Sequence, residues 1–159
     1  MQNCLAIDPG LEGTGYACWI DGKLVEADSI YSSKEEFTAK SKDIAVKLRR
    51  RVGRIFGHRG FNIAVEFPTN WTGSRKGYAA TASGALLKLS YLIGVLATKI
   101  NGVPEAVPVA KYKGTLPKDI VANRARHCLG LDVRKVHSRA SHTWDAVYLG
   151  LWYQGLLKP

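Results

Sequence analysis

The chain has 159 residues, enough for one domain with a proper core, and its 46% hydrophobic and 23% charged residues exclude a disordered or membrane-embedded protein. The formal net charge is +10. So basic a chain points to a polyanionic partner held through counterion release, the alternative being a solvated surface that keeps it soluble. Cys4, Cys18 and Cys128 form no CxxC pair and no even framework, so neither a zinc site nor a disulfide scaffold is expected. No basic segment leads into a long apolar run at the N-terminus, and no apolar stretch is long enough to span a bilayer. These features predict a protein of a reducing cytoplasm, without membrane attachment.

Gln2 to Ile7 reads as a buried strand. After Asp8-Pro9-Gly10 comes a turn rich in glycine (Gly13, Gly15), then a second strand, Tyr16 to Ile20. Asp21-Gly22 is a strong hairpin signal and predicts a third, antiparallel strand over Leu24–Tyr31. Phe37, Ile44, Leu48, Val52 and Ile55 mark the apolar stripe of a helix over Lys34–Phe56, with Ser33 as its cap and Glu36 as the capping-box partner. Asn62 to Glu66 is a fourth strand, and Phe67 to Gly77 a loop. A helix over 79–100 follows, apolar over a wide arc. Glu105 to Val109 is a fifth strand, Lys111 to Pro117 a basic loop, and Lys118 to Cys128 a helix. Gly130 to Ala140 is a basic linker and Ser141 to Leu157 the last helix. The order is βββαβαβαα in a single domain over 1–159, an α/β fold with a five-stranded mixed sheet and helices on both faces.

Acidic residues in so basic a chain need a reason. Asp8 and Glu66 each stand directly after a short apolar run, Cys4-Leu5-Ala6-Ile7 and Ile63-Ala64-Val65. If those strands are neighbours, both carboxylates leave one edge of the sheet, where open α/β sheets place their ligands. His142 and Asp145 lie three apart on a helix and share a face. Together the four suit two divalent cations of the magnesium or manganese type, set against a phosphodiester. Taken singly, each has a plainer role: a turn opening at Asp8, a loop cap at Glu66, a surface charge at Asp145, a packed or capping ring at His142.

The segment Ala6-Ile7-Asp8-Pro9-Gly10, followed by Thr14-Gly15-Tyr16-Ala17, resembles the opening of the RuvC-type Holliday junction resolvases. Ile63-Ala64-Val65-Glu66 resembles their second acidic motif, and His142-Thr143-Trp144-Asp145-Ala146 their last. The resemblance covers almost the whole chain. It implies an RNase H-like fold, a homodimer built through the helix 79–100, and two-metal cleavage of paired strands at a four-way or branched DNA junction. Asp8, Glu66 and Asp145 match the metal-binding carboxylates. His142 takes the remaining position, where many members carry Asp, and is the fourth expected ligand or a proton carrier. Two Mg2+ per site are implied, with Mn2+ able to substitute, in the cytoplasm of a bacterial cell or of a phage-infected host.

The basic residues then acquire candidate roles. Lys113 and Lys118 are expected beside the scissile phosphate, neutralising charge that builds on it, and Lys111 lies nearby. Trp71, Arg75 and Lys76 join an aromatic to cations just after Glu66, as a surface that stacks on bases and holds the backbone would. Trp71 is preferred over Phe67 as the junction-opening aromatic, the alternative being a lid over the sheet edge. Arg134 and Arg139 are candidates for the DNA backbone. Between Lys34 and Arg59 stand nine Lys and Arg against three acids, either a solvated face or a phosphate track. Competing readings are a non-catalytic binder of branched DNA and an RNase H-like nuclease acting on RNA–DNA hybrid. A sugar-kinase-like phosphate binder would need two such domains.

Overall fold

A computed structural model describes residues 2–68 and 83–157. Its framework is a five-stranded sheet in the order β3-β2-β1-β4-β5. The strands are β1 (Cys4–Asp8), β2 (Gly13–Ile20), β3 (Lys23–Tyr31), β4 (Asn62–Phe67) and β5 (Glu105–Pro108). β1, β2 and β3 pair antiparallel as a meander, while β4 pairs parallel with both β1 and β5. This is the mixed sheet predicted from the sequence. The helices are α1 (Phe37–Phe56), α2 (Ala85–Ile100), α3 (Val109–Tyr112), α4 (Lys118–Leu129) and α5 (Ser141–Tyr153). A 3-10 turn, Gly130–Lys135, joins the last two. No helix among the described residues is long and apolar enough to cross a membrane.

Local chemistry accounts for most boundaries. Asp21 and Gly22 both take positive φ (51° and 76°), as a two-residue hairpin between right-twisted strands requires. β2 begins at Gly13 rather than Tyr16, because Gly13 and Gly15 pair with Tyr31 and Ser29 instead of looping out. The cap of α1 is Glu36, not Ser33. The Glu36 carboxylate reaches back to the helix start and accepts from the backbone N–H of Thr38 (2.9 Å) and Ala39 (2.7 Å). Lys111 lies on the short helix α3 rather than in a loop. α5 stops at Tyr153, short of the predicted Leu157, because Gly155 at φ 68° turns the chain.

Alternation along the strands sends side chains to two cores. Leu5, Ile7, Tyr16, Cys18, Ile63 and Val65 meet Ile44, Leu48, Val52 and Phe56 of α1 and Leu92 and Leu96 of α2. On the other face Ala6, Ala17, Ala27 and Ala64 form a floor of methyl groups beneath α4 and α5. Small side chains let α5 approach closely, and it is buried from Thr143 through Leu151. Cys4 and Cys18 are buried core residues, and burial pushes the Cys4 thiol up to about 12.

Candidate active site

Asp8 is the last residue of β1. The parallel register pairs Ala6 with Ala64 and Ile7 with Val65, so Glu66 follows on the neighbouring strand beside Asp8. Both carboxylates therefore leave the sheet at the carboxyl ends of two parallel strands. Asp145 and His142 arrive from the opposite end of the sequence on the first turns of α5. Two glycines make room for that helix. A Cβ at Gly15 would stand 2.0 Å from the His142 carbonyl oxygen, and one at Gly10 would stand 2.8 Å from His142 Cε1. A hydroxyl pair, Ser29 Oγ to Thr143 Oγ1 at 2.6 Å, ties α5 to β3 at the same level.

The side chains meet there. His142 Nδ1 lies 2.7 Å from Asp8 Oδ2. Lys113 Nζ lies 2.8 Å from Glu66 Oε2 and 2.9 Å from Asp145 Oδ1, bridging the two carboxylates. The Tyr112 hydroxyl donates to the same Glu66 oxygen. Lys118 opens α4 and donates to Ser141 Oγ at 3.2 Å, one residue before His142. Asp8, Glu66, His142, Asp145 and Lys113 are thus brought together, with Lys118 at the rim. Lys111 is exposed and makes no ion pair among the described residues. Arg134 and Arg139 are exposed and make no ion pair among the described residues. Trp71, Arg75 and Lys76 lie outside the described residues. Sequence reasoning missed Tyr112. Its only signal was an aromatic between Lys111 and Lys113 just after a strand, in a stretch read as a basic loop.

Burial governs the electrostatics. Asp8 is 5% exposed and Asp145 3%. Burial pushes the Asp8 carboxyl up to about 6; the hydrogen bond to His142 opposes this and the Glu66 charge adds to it. His142 is raised, chiefly by its hydrogen bond to Asp8. For Lys113 burial works against the charge, yet Glu66 and Asp145 outweigh it and the ammonium is held above its usual range. Burial and the adjacent Glu66 raise Tyr112, which stays protonated and donates.

A pH dependence follows from the Asp8–His142 pair. Both groups bind protons more tightly in the folded chain than in the unfolded one. Their contribution to stability is complete below the unfolded values and is lost as pH rises through the folded ones. The lowered carboxyls of Glu36 and Asp43 act at lower pH and do not oppose it. With chelator present, Tm is expected to fall in the window where pH rises through about 6 and on past the raised His142, and Asp8→Asn to flatten the curve, since it removes the carboxyl and the chief cause of the His142 shift. Thermal scans in which wild-type Tm climbs through that window would contradict the assignment.

No three His, Cys, Asp or Glu side chains among the described residues close on one point tightly enough to ligate an ion. The Lys113 ammonium takes the place between Glu66 and Asp145. The donor set nonetheless has the right chemistry, because three carboxylates and one imidazole are the oxygen-rich company that Mg2+ and Mn2+ prefer.

The sheet order, the flanking helices and the carboxylates at the ends of β1 and β4 define an RNase H-like fold. No family model and no curated protein sequence matches the chain. Among solved structures, RuvC of Thermus thermophilus is similar over nearly the full length of both chains. Alone, it aligns with 20% identity, 99% coverage of each chain and a TM-score of 0.59. The T. thermophilus RuvC in complex with Holliday junction substrate aligns with 24% identity, 100% of this chain and 99% of that chain, at a TM-score of 0.62. The yeast mitochondrial Holliday junction resolvase Ydc2 aligns at 14% identity, 97% of this chain and 81% of that chain, TM-score 0.49. The two T. thermophilus matches give the fold as that of RuvC, as the sequence motifs led us to expect.

Proposed function

We propose that the chain is a structure-selective endodeoxyribonuclease that resolves four-way DNA junctions by divalent-metal-dependent hydrolysis of a phosphodiester in each of two strands. The carrying observation is the meeting of Asp8, Glu66 and Asp145, from three distant segments, at one sheet edge of a chain with net charge +10. The likeness to a RuvC solved with Holliday junction substrate supports the choice of DNA substrate.

Asp8, Glu66, Asp145 and His142 would hold two Mg2+, or Mn2+ in their place. Bound there, the ions supply Lewis-acid charge and acidify water at neutral pH. His142 Nδ1 is committed to Asp8, which leaves Nε2 for ligation or proton transfer. Tyr112 fixes the orientation of Glu66 through its hydroxyl. Lys113 keeps a positive charge inside the carboxylate cluster, where charge builds on the cleaved phosphate, and Lys118 extends it to the rim. Trp71, Arg75 and Lys76 after β4, with Lys111, Arg134 and Arg139, contact the DNA. Each protomer is one nuclease domain, acting in the cytoplasm of a bacterial cell or a phage-infected host.

Paired cuts require two sites, which a two-fold homodimer supplies. Leu86, Leu92, Ile93, Leu96 and Ile100 of α2 are buried, and Leu89 is half-buried against the α1 core. The face left outside carries Leu87 (74% exposed), Tyr91 (40% exposed), Gly94 and Thr98, at helical spacing. We assign this outer face to the dimer contact.

The test is a labelled immobile four-way junction incubated with Mg2+ or Mn2+, beside linear duplex and RNA–DNA hybrid. Paired symmetric nicks are expected in the junction alone. Leu87→Glu/Tyr91→Glu is expected to reduce the solution mass to one protomer and to uncouple the two nicks. Junction binding without cuts, or cleavage of the hybrid, would replace this reading with a non-catalytic binder or a ribonuclease.

A further inference from the structure

β3 is an edge strand of the sheet, and two basic segments distant in sequence converge on it. α1 runs alongside: Lys47 Nζ donates to the Tyr31 carbonyl at 2.9 Å, and Arg51 Nε stands 3.7 Å from Glu26. Between them lies a groove of about 320 Å³, lined by Ser29 and Tyr31 of β3 and by Lys47, Arg50, Arg51 and Arg54 of α1. The stretch after the 3-10 turn reaches the same strand. Val136 bridges to Ala27, and the His137 N–H donates to the Ala27 carbonyl at 2.8 Å. Arg134 and Arg139 flank that contact and are exposed.

The charges along this edge are unbalanced. Lys47 is paired with Asp43, Arg51 with Glu26 and Lys135 with Asp132. Arg50, Arg54, Arg134 and Arg139 are all exposed and have no ion pair among the described residues. Guanidinium groups suit phosphate because their forked donors engage two oxygens at once. Position matters as much as charge. The register runs Asp8 to Gly15 to Ser29, so the groove begins two strands, roughly 10 Å, from Asp8. From there Lys47 to Arg54 extends about 10 Å along α1. A DNA strand carries one phosphate per ~3.4 Å of axis, so the strip can meet several in a row.

We propose that the DNA surface extends along the β3 edge, where Arg50 and Arg54 of α1 join Arg134 and Arg139 in a guanidinium strip that grips the backbone of a duplex arm as it leaves the cleavage site. It rests on the nuclease reading for its choice of DNA.

Equilibrium binding of the full chain to a four-way junction in chelator, across a salt series, tests it. Arg50→Gln/Arg54→Gln and Arg134→Gln/Arg139→Gln should each flatten the slope of log K against log salt by about 1 or more and weaken binding roughly tenfold. Lys99→Gln/Arg124→Gln removes the same charge from exposed positions on α2 and α4, off the strip, and should leave the slope at the wild-type value. Unchanged slopes in both strip variants, or an equal loss in the control, would overturn the strip. Flattened slopes in a chain that cuts no junction would uphold the strip and sink the nuclease reading. Junction cleavage with unchanged slopes would do the reverse.

Discussion

Asp8→Asn is expected to lower junction cleavage by about 10³-fold or more while leaving junction binding intact or tighter, as when a group that stabilises the developing charge is lost. Asp8 sits at the end of a buried strand with its Oδ2 on His142 Nδ1. Asparagine keeps the shape but offers one neutral oxygen to a cation in place of a carboxylate. It also removes a negative charge that repels phosphate, so affinity for the junction should not fall. Single-turnover cleavage beside a mobility-shift titration in chelator separates the two effects. Undiminished cleavage with Mg2+ would remove the metal-site reading altogether.

Gly15→Ala is expected to harm both stability and cleavage, although Gly15 carries no chemistry. A Cβ there falls 2.0 Å from the His142 carbonyl oxygen, 2.2 Å from its carbon and 2.7 Å from the Thr143 nitrogen. All three are backbone atoms of α5 and cannot rotate away. The helix must shift, at a cost of about 1–3 kcal/mol as in other overpacked cores. For a chain of this length that corresponds to a fall in Tm of roughly 2–12 °C. Cleavage should suffer more, because α5 carries both Asp145 and His142, and a displacement of about 1 Å costs on the order of 10²-fold. Gly53→Ala is the matched control: it lies within α1 with nothing within 4 Å of the new methyl, and should raise stability by about 0.5–1 kcal/mol. Equal melting temperatures for Gly15→Ala and wild type would show that α5 is free to retreat.

Much of the framework was legible because its causes are local. The runs before Asp8 and Glu66 announced buried strands, and Asp21-Gly22 announced the hairpin. Other features depended on neighbours that no short window contains. Glu36 displaced Ser33 as the cap of α1, since its carboxylate reached two free N–H groups. α5 gave little periodicity because methyl floors and glycines let it be covered on all sides. The wide apolar arc of α2 did not say which side was spare; burial of Leu92, Ile93 and Leu96 leaves Leu87 and Tyr91 on the outer face.

The sequence by itself determined the strand-ending carboxylates, the meander and the basic excess, because alternation, turn chemistry and net charge are properties of adjacent residues. Only the tertiary structure decided that Lys113 bridges Glu66 and Asp145, that Tyr112 holds Glu66, and that Arg134 and Arg54 flank one sheet edge. Those meetings are set by strand register and by the close seat of α5 over Gly10 and Gly15, and such contacts exist only once distant segments pack together.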